Sequence, residues 1–600
     1  MPFPIAGHVP ISAKDLLSWI FDDPEYDIDK PVSLSIPRCG ILENREYPSH
    51  LSSQIFISAS DPSVTLSCAQ SLSLIRHLIA GLRHAGLQPG DCVCIQSFNS
   101  VTYPILVLAI IGAGGVFAGT NPSYTPHELA HTLKISKARF VLAEKDLLPS
   151  MREAMISVKI PESRLFILDA QDEAPPSIPF KPTNSSHSNP IFQSWRALLT
   201  HGTATWTRFN SPTRSKDTTA AFFFSSGTTG LPKATQITHH NLIAQHTLVF
   251  TPHPRPYPIS VVLCIPMFHI GIGPLTHVSH LRDGRTAYIM RRFDLESFLK
   301  LHARFQVTEC LIVPPIVNAI VMSGLADPNN SRYRAECSLQ SLRHGLGGGA
   351  PLGAVMQKRF QILMAPGASL GQLWGMTEMT CIITHVRLGT RSEEVDYFGS
   401  VGTPIPNTEL KIVDEDGKDV SHVPDVRGEI CVRGPTVMKG YFENEEANKE
   451  TFDDEGYIMS GDIGYVDSKT GLWYIVDRRK ELIKVRGFQV APPEIEGVLL
   501  SHPGIADVAV IGVKMRVEGG PSGSEWDERP RAYVVRQAGA VEVQEEQVKD
   551  WVVARLAKYK SLDGGVRFVD AIPRNASGKI LKRIVREWAK EEKGKPVLKL

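Results

Sequence analysis

Residues 222–233 read Phe-Phe-Phe-Ser-Ser-Gly-Thr-Thr-Gly-Leu-Pro-Lys, an apolar strand that empties into hydroxyls and glycines and ends on a lysine. Such a loop suits a polyanion. Gly227 and Gly230 let backbone N–H groups close on an anion, and Ser225, Ser226, Thr228 and Thr229 add donors. Lys233 supplies a compact positive charge. A triphosphate tail has these needs. The Walker A pattern G-x-x-x-x-G-K-[ST] is absent. Taken by itself, the loop also reads as a Gly/Thr surface turn.

The flanking chain supplies a frame for it. Leu72, Leu74, Ile75, Leu78, Ile79 and Leu82 fall near one face of a helix over residues 71–83. After the turn Pro89-Gly90-Asp91 come a strand over 92–96, an apolar helix from about Thr102, a helix through Leu129, Leu133 and Ile135, and a strand over 140–143. Further strands are expected at 260–265, 286–290 and 309–313. Short apolar strands alternating with amphipathic helices predict an α/β domain with helices on a largely parallel sheet. Strands at 409–413 and 429–432 add a β-rich part, and near residue 475 the chain turns charged. A small α+β unit follows, with strands at 508–511 and 532–535 and helices at 548–556 and 581–589. Residues 171–190 and 518–530 lack periodicity and read as a surface loop and a hairpin insertion. The expected architecture is α/β: a large domain over 1–478, made of α/β subdomains plus a β-rich subdomain, and a small mobile α+β domain over 479–600.

A length of 600 residues with 42% apolar and 21% charged residues fits a globular protein of more than one core. Lys and Arg number 64 against 63 Asp and Glu, so no net field draws nucleic acid or an acidic membrane. The odd total of nine cysteines suits a reducing compartment. Cys92 and Cys94 lie in an apolar run and read as strand residues, since no second cluster completes a zinc set. No secretory signal opens the chain. The longest apolar run, residues 105–118, is interrupted by glycines and shorter than a bilayer span, so a buried helix and a turn are expected there. Leu598-Lys599-Leu600 resembles the S-K-L peroxisomal address but departs from it at the first position. A frayed basic helix end in a cytoplasmic protein accounts for it equally well.

Residues 225–233 resemble the phosphate loop of the adenylate-forming superfamily, which contains acyl-CoA synthetases, 4-coumarate–CoA ligases, luciferase and adenylation domains. Six more motifs of that family follow in order: Pro266-Met267-Phe268-His269, Gly348-Gly349-Ala350-Pro351-Leu352, Gln372-Leu373-Trp374-Gly375-Met376-Thr377-Glu378, Ser460-Gly461-Asp462, the hinge stretch from Tyr474 to Lys484, and Pro573-Arg574-Asn575-Ala576-Ser577-Gly578-Lys579. The resemblance covers about residue 45 to about residue 585. It implies ATP, Mg²⁺ and coenzyme A as partners in activating a carboxylic acid. A carboxylate is a poor nucleophile toward an anionic triphosphate, so neutralising and aligning charge is the main task. By resemblance, Lys233 and the Ser225–Gly230 loop cradle the β- and γ-phosphates, and Gly348, Gly349 and Ala350 form the adenine-side turn. Gln372, Leu373, Trp374, Gly375 and Met376 belong to the nucleotide site, with Trp374 against the adenine where the family has Tyr. Thr377 takes the α-phosphate, and Glu378 holds Mg²⁺ with Thr228. Asp462 and Arg478 take the ribose. Lys579 reaches the substrate carboxylate and the α-phosphate. Lys480 is the hinge about which the small domain turns between half-reactions. Lys484 and Gln489 contact the nucleotide in the adenylating pose, and Arg486-Gly487-Phe488-Gln489 resembles the K-G-F-Q of the thiol tunnel. His269 gates the acyl pocket and the pantetheine channel.

Residues 118–122 and 487–492 resemble the 4-coumarate–CoA ligase-like branch. True coumarate ligases follow Phe-His with Ile-Tyr and carry an Asn three residues on. Here Ile270 precedes Gly271, and Pro274 stands in place of the Asn. An unpaired buried hydroxyl costs ~1–3 kcal/mol, so a pocket for a phenol needs such partners. With Leu346, Gly348 and Gly371 completing the wall, the expectation is a larger, apolar acid of the medium- or long-chain or polyketide-like kind. An aryl acid is the alternative. Three other functions compete: loading a carrier protein in trans, luciferase-like oxygenation of the adenylate, and regulation by nucleotide binding without catalysis. Glu378, Asp462 and Lys579 together argue against the last.

Overall fold

The computed structural model describes residues 7–21, 54–168, 193–225, 232–252, 255–387, 396–485, 488–516, 526–537, 543–575 and 578–593. The surface loop expected at 171–190 and the C-terminal tripeptide lie outside them.

An eight-stranded sheet runs in the order Gly440–Tyr441, Lys233–Thr238, Thr219–Ser225, Val116–Thr120, Cys92–Gln96, Ala138–Glu144, Leu165–Leu168, Gln193–Ser194. The strands from Thr219–Ser225 onward are parallel, and the first two are antiparallel additions on one edge. Every residue of Cys92–Gln96 and Val116–Thr120 is buried, Cys92 and Cys94 included, as in a parallel sheet covered on both faces. The helix Tyr103–Gly112 is buried at all ten positions, the place for a helix that is apolar all round. The helix Cys68–His84 starts earlier than its apolar face implies, because Ser67 and Gln70 form a capping box.

A second sheet pairs Ser260–Leu263, Thr286–Ile289, Gln54–Ser58 and Thr65–Ser67. A third carries the parallel strands Glu309–Ile312, His344–Gly347 and Ser369–Trp374, followed by the short antiparallel Thr384–His385 and Thr403–Pro404. The β-rich part is an antiparallel sheet of Glu409–Val413, Gly428–Arg433, Ile458–Val466 and Trp473–Arg478. One large core cluster reaches from Leu16 to Trp473.

The chain after residue 482 has a core of its own, with Ile483, Val490, Ile495, Val508, Val534 and Val566. Its strands Ile505–Arg516 and Trp526–Arg536 are much longer than expected. Ladder pairing continues in register out to Arg516↔Trp526, and the partner segment Trp526-Asp527-Glu528-Arg529-Pro530 shows no apolar alternation. The insertion expected at 518–530 is therefore strand from Trp526 onward. The helix expected at 548–556 runs from Glu545 to Val553, since Gln544 and Gln547 form a capping box. The last described helix is Lys582–Lys593. Among the described residues no helix is long and apolar enough to cross a membrane.

Candidate active site

The strand Ser369–Trp374 ends in a tight hairpin. A Cβ on Gly375 would lie 1.6 Å from the Cys381 carbonyl oxygen, so only glycine fits there. Thr380 and Cys381 turn back with φ of 56° and 108°, and Thr380 Oγ1 donates to the Thr436 carbonyl at 2.6 Å. The 3₁₀ turn Thr377–Met379 on this hairpin presents Thr377 and Glu378. Glu378 is buried and accepts a hydrogen bond from the Tyr441 hydroxyl at 2.7 Å. Burial and the Glu378 charge both raise the phenol's pKa, so it stays protonated and donates.

Tyr441 is also the link to the phosphate loop. Its strand pairs with Lys233–Thr238, and Lys233 Nζ lies 4.4 Å from its ring centroid. Ser225 and Lys233 are direct cross-strand partners. Ser226, Gly227, Thr228, Thr229 and Gly230, between them, lie outside the described residues, as do Arg486, Gly487 and Ser577. Tyr441 had no signal in the sequence beyond being an aromatic residue after a glycine.

A second cluster joins the two parts of the chain. Asp462 and Arg478 face each other across adjacent strands, with Arg478 Nε 3.2 Å from Asp462 Oδ1. Trp374 Nε1 donates to Asp462 Oδ2 at 2.8 Å. Lys579 belongs to this cluster: burial first, then the Arg478 charge, holds its amine down to about 8, against the opposing pull of Asp462 and Glu481. Its loop is braced locally. The Lys579 N–H donates to Asn575 Oδ1 at 2.8 Å, Arg574 Nη1 donates to the Gly578 carbonyl at 2.9 Å, and Arg574 pairs with Asp507 at 2.7 Å. Gly578, at φ 83°, lies against Pro315 of the helix Pro314–Ser323, and a Cβ there would meet Pro315 Cγ at 2.9 Å. Close behind, Lys582 Nζ stands 3.9 Å from both Asp477 Oδ2 and Glu496 Oε1. Burial raises both acids, Asp477 to about 6.

Several expected positions fall elsewhere. The Gln372 amide does not face the nucleotide cleft. It accepts from the Leu352 N–H at 3.1 Å and donates to the Leu352 carbonyl and to Gln357 Oε1, both at 2.9 Å. It clamps the turn that holds Gly348, Gly349 and Ala350. Lys484 and Gln489 sit exposed on the hairpin of Ile483–Val485 and Phe488–Val490, where the Gln489 amide bonds Glu415. Lys480 is exposed in the turn after Trp473–Arg478.

A small, mostly apolar cavity opens on the third sheet, and its wall includes Gly271, Pro274, Leu275, Leu311, Leu346 and Ile382. Gly348 and Gly371 are not part of that wall. Their missing side chains make room for protein instead: a Cβ on Gly348 would lie 2.4 Å from Leu373 Cδ1, and one on Gly371 2.6 Å from Val386 Cβ. Ile270 is buried in the large core. His269 Nδ1 accepts the Gly271 N–H at 3.0 Å, and burial lowers the ring to about 4. It is neutral at physiological pH and carries its proton on Nε2.

A hairpin presenting a buried acid, a cation beside a phosphate-type loop and a lysine reaching across two units define a nucleotide-using transferase or ligase. The AMP-binding enzyme family matches residues 46–442, and the AMP-binding enzyme C-terminal domain matches residues 494–579. The chain is 46% identical over 586 residues to phenylacetyl-CoA ligase epaB of Aspergillus niger, covering 98% of this chain and 99% of that one. It is also 46% identical to acyl-CoA ligase azaF of Aspergillus niger, over 96% of this chain and 99% of that one. Among solved structures, ATP-bound MatB from Rhodopseudomonas palustris aligns with a TM-score of 0.76 at 26% identity, covering 97% of this chain and 100% of MatB. The chain belongs to the AMP-binding enzyme family. Its reaction class is ATP-dependent, AMP-forming ligation of a carboxylic acid to coenzyme A.

Proposed function

We propose that this chain acts on a medium- or long-chain, largely apolar acid through an acyl-adenylate, with Lys579 as the residue that enables the first step. In that step a carboxylate oxygen of the acid bonds to the α-phosphorus of ATP. The bond from that phosphorus to the β-phosphate bridge breaks, and pyrophosphate leaves with the electron pair. In the second, the coenzyme A thiol gives up its proton to water, its sulfur bonds to the acyl carbon, and AMP departs. The observation carrying this reading is the packing of the Lys579 loop, through Gly578, on Pro315 of the large domain, within range of the charges of the Asp462–Arg478 pair. It brings a cation from the C-terminal part of the chain to the two groups assigned to the ribose. Lys233 takes the β- and γ-phosphates, Thr377 the α-phosphate, and His269 borders the acyl channel.

Glu378 fits a divalent cation. It is a buried carboxylate whose described partner is a neutral phenol, and no protein cation pairs with it among the described residues. Glu378 would hold Mg²⁺, which supplies charge neutralisation to phosphate oxygens. The domain boundary is taken at about Arg478, with Lys480 as hinge and the Arg486–Gln489 segment serving the thiol step.

Acid-dependent pyrophosphate release tests the core of this reading. A Lys579→Ala variant is expected to lose ~10² to 10³ in rate; full retention overturns the assignment. The acid class rests on the cavity and on Gly271 and Pro274 in its wall. A panel of acids assayed for AMP formation with and without coenzyme A decides it, and a strong preference for coumarate or phenylacetate favours the aryl reading. AMP formation that needs no coenzyme A but a carrier protein favours loading in trans. The Leu598-Lys599-Leu600 terminus supports a peroxisomal address; a reporter ending in these residues that stays in the cytosol argues against it.

A further inference from the structure

We propose that His344 recognises a hydroxyl group at the far end of the acid, so that the preferred substrate is a hydroxy acid whose apolar body spans the cavity. This rests on the reading that the cavity holds the acyl chain. His344, Glu309 and Ser369 lie in one row across the first residues of three parallel strands, Glu309↔His344 and His344↔Ser369. The next row on the same face is Leu311, Leu346 and Gly371. The strands run toward the turn at Gly348–Leu352 and the nucleotide hairpin. Four residues of extended chain, about 13 Å, separate His344 from Gly348. His344 and Leu346 both border the same cavity. His344 stands at the starts of these strands, so it borders the side of the cavity away from the Gly348–Leu352 turn.

The other polar groups on the wall are engaged. Gln245 is bonded at both ends of its amide to the Ile382 backbone, at 3.1 and 3.2 Å. Arg285 pairs with Asp283 and lies 4.5 Å from the Phe250 ring centroid. Glu309 Oε1 accepts from Arg255 at 2.6 Å and from Tyr257 at 3.0 Å. His344 is different. The residue is 1% exposed, its Nδ1 shares a hydrogen bond of 3.0 Å with Ser369 Oγ, and its Nε2 has no partner. His277, His280 and His302 also carry an unpartnered ring nitrogen, but among the described wall residues of the cavity only His344 does. If Nδ1 holds the proton, Nε2 needs a donor; if Ser369 donates to Nδ1, Nε2–H needs an acceptor. A hydroxyl satisfies either tautomer. A purely hydrocarbon tail satisfies neither, and a site built for a hydroxyl discriminates strongly against the analogue lacking it.

Octanoic, decanoic and dodecanoic acids and their ω-hydroxy derivatives provide the test with the full-length enzyme, by coenzyme A-dependent AMP formation. At least one hydroxy acid is expected to exceed its parent in kcat/KM by roughly tenfold to a hundredfold. His344→Leu is expected to abolish that preference while the parent acids still turn over. Ser369→Ala, which frees the ring, should shrink it and serves in place of His344→Leu should that variant misfold. Calorimetric binding of each pair to the ATP-loaded protein reads the preference without turnover. Parent acids that bind and turn over at least as well as every hydroxy partner overturn the proposal and leave the ligase reading standing. Failure of all acids to form AMP, with the binding preference intact, strikes at the ligase reading instead.

Discussion

The indole N–H of Trp374 and the carboxylate of Asp462 meet at 2.8 Å, though 88 residues separate them. Arg478 holds the other oxygen. The carboxylate assigned to the ribose is thus oriented by the indole before any nucleotide arrives. Where the family carries Tyr, the Trp supplies a donor of its own.

Replacing Trp374 by Phe keeps an aromatic face and removes the donor. A hydrogen bond to a charged group is worth ~1.5–3 kcal/mol, which converts to about tenfold or more. The KM for ATP is expected to rise by about that factor, and the thermal midpoint to fall, because the bond already exists in the free protein and Trp374 is buried. Initial rates of pyrophosphate release across ATP concentrations measure it; an unchanged KM shows that Asp462 does not depend on the indole.

Lys579 titrates near 8 because of burial and Arg478. The first step needs its charged form, so kcat/KM for ATP, which reports the free enzyme, is expected to fall as pH rises through about 8. Lys579→Arg should move that fall out of the accessible range. The stability effect has the opposite sign. Between about 8 and the ordinary lysine value of 10.5 the unfolded chain binds the extra proton, so this group's contribution to stability rises with pH there. A pH profile flat to 10 removes Lys579 from the first step.

Asp477 titrates near 6 because it is buried. Between the ordinary aspartate value of 3.8 and about 6 the folded state binds the extra proton, so its contribution to stability falls as pH rises through that window and stays unfavourable above it. Asp477→Asn keeps an acceptor for the Arg478 N–H and is expected to stabilise the protein by ~1–3 kcal/mol at neutral pH. That gain should vanish near pH 4. Thermal melts at both pH values check it; equal gains at both contradict the burial argument.

Tyr441→Phe removes the hydroxyl from Glu378 and keeps the ring beside Lys233. The expected loss is ~10-fold or more in pyrophosphate release, with a raised requirement for Mg²⁺. Titrating Mg²⁺ at saturating ATP separates the two residues: an unchanged requirement means that Glu378 does not hold the metal.

Much of this was legible in the sequence. The alternation of strands and helices predicted the parallel sheet, and the apolar run at residues 105–118 predicted a buried helix. These features depend on short-range backbone preferences and on which residues shun water, and both are written locally. The ladder beyond Ile511 was not, because the partner segment Trp526-Asp527-Glu528-Arg529-Pro530 is polar and has no apolar period.

The sequence by itself determined the order of the motifs and the presence of Glu378, Asp462 and Lys579. Only the tertiary structure decided what each side chain faces. It turned Gln372 from a nucleotide contact into a clamp on Leu352, gave Gly348 and Gly371 to Leu373 and Val386, brought Tyr441 to Glu378, and left His344 with an unpartnered nitrogen in the wall of a cavity. The reason is physical. A residue's type limits the bonds it can make, but its partners come from strands and loops tens of residues away, and burial decides whether a missing partner costs anything.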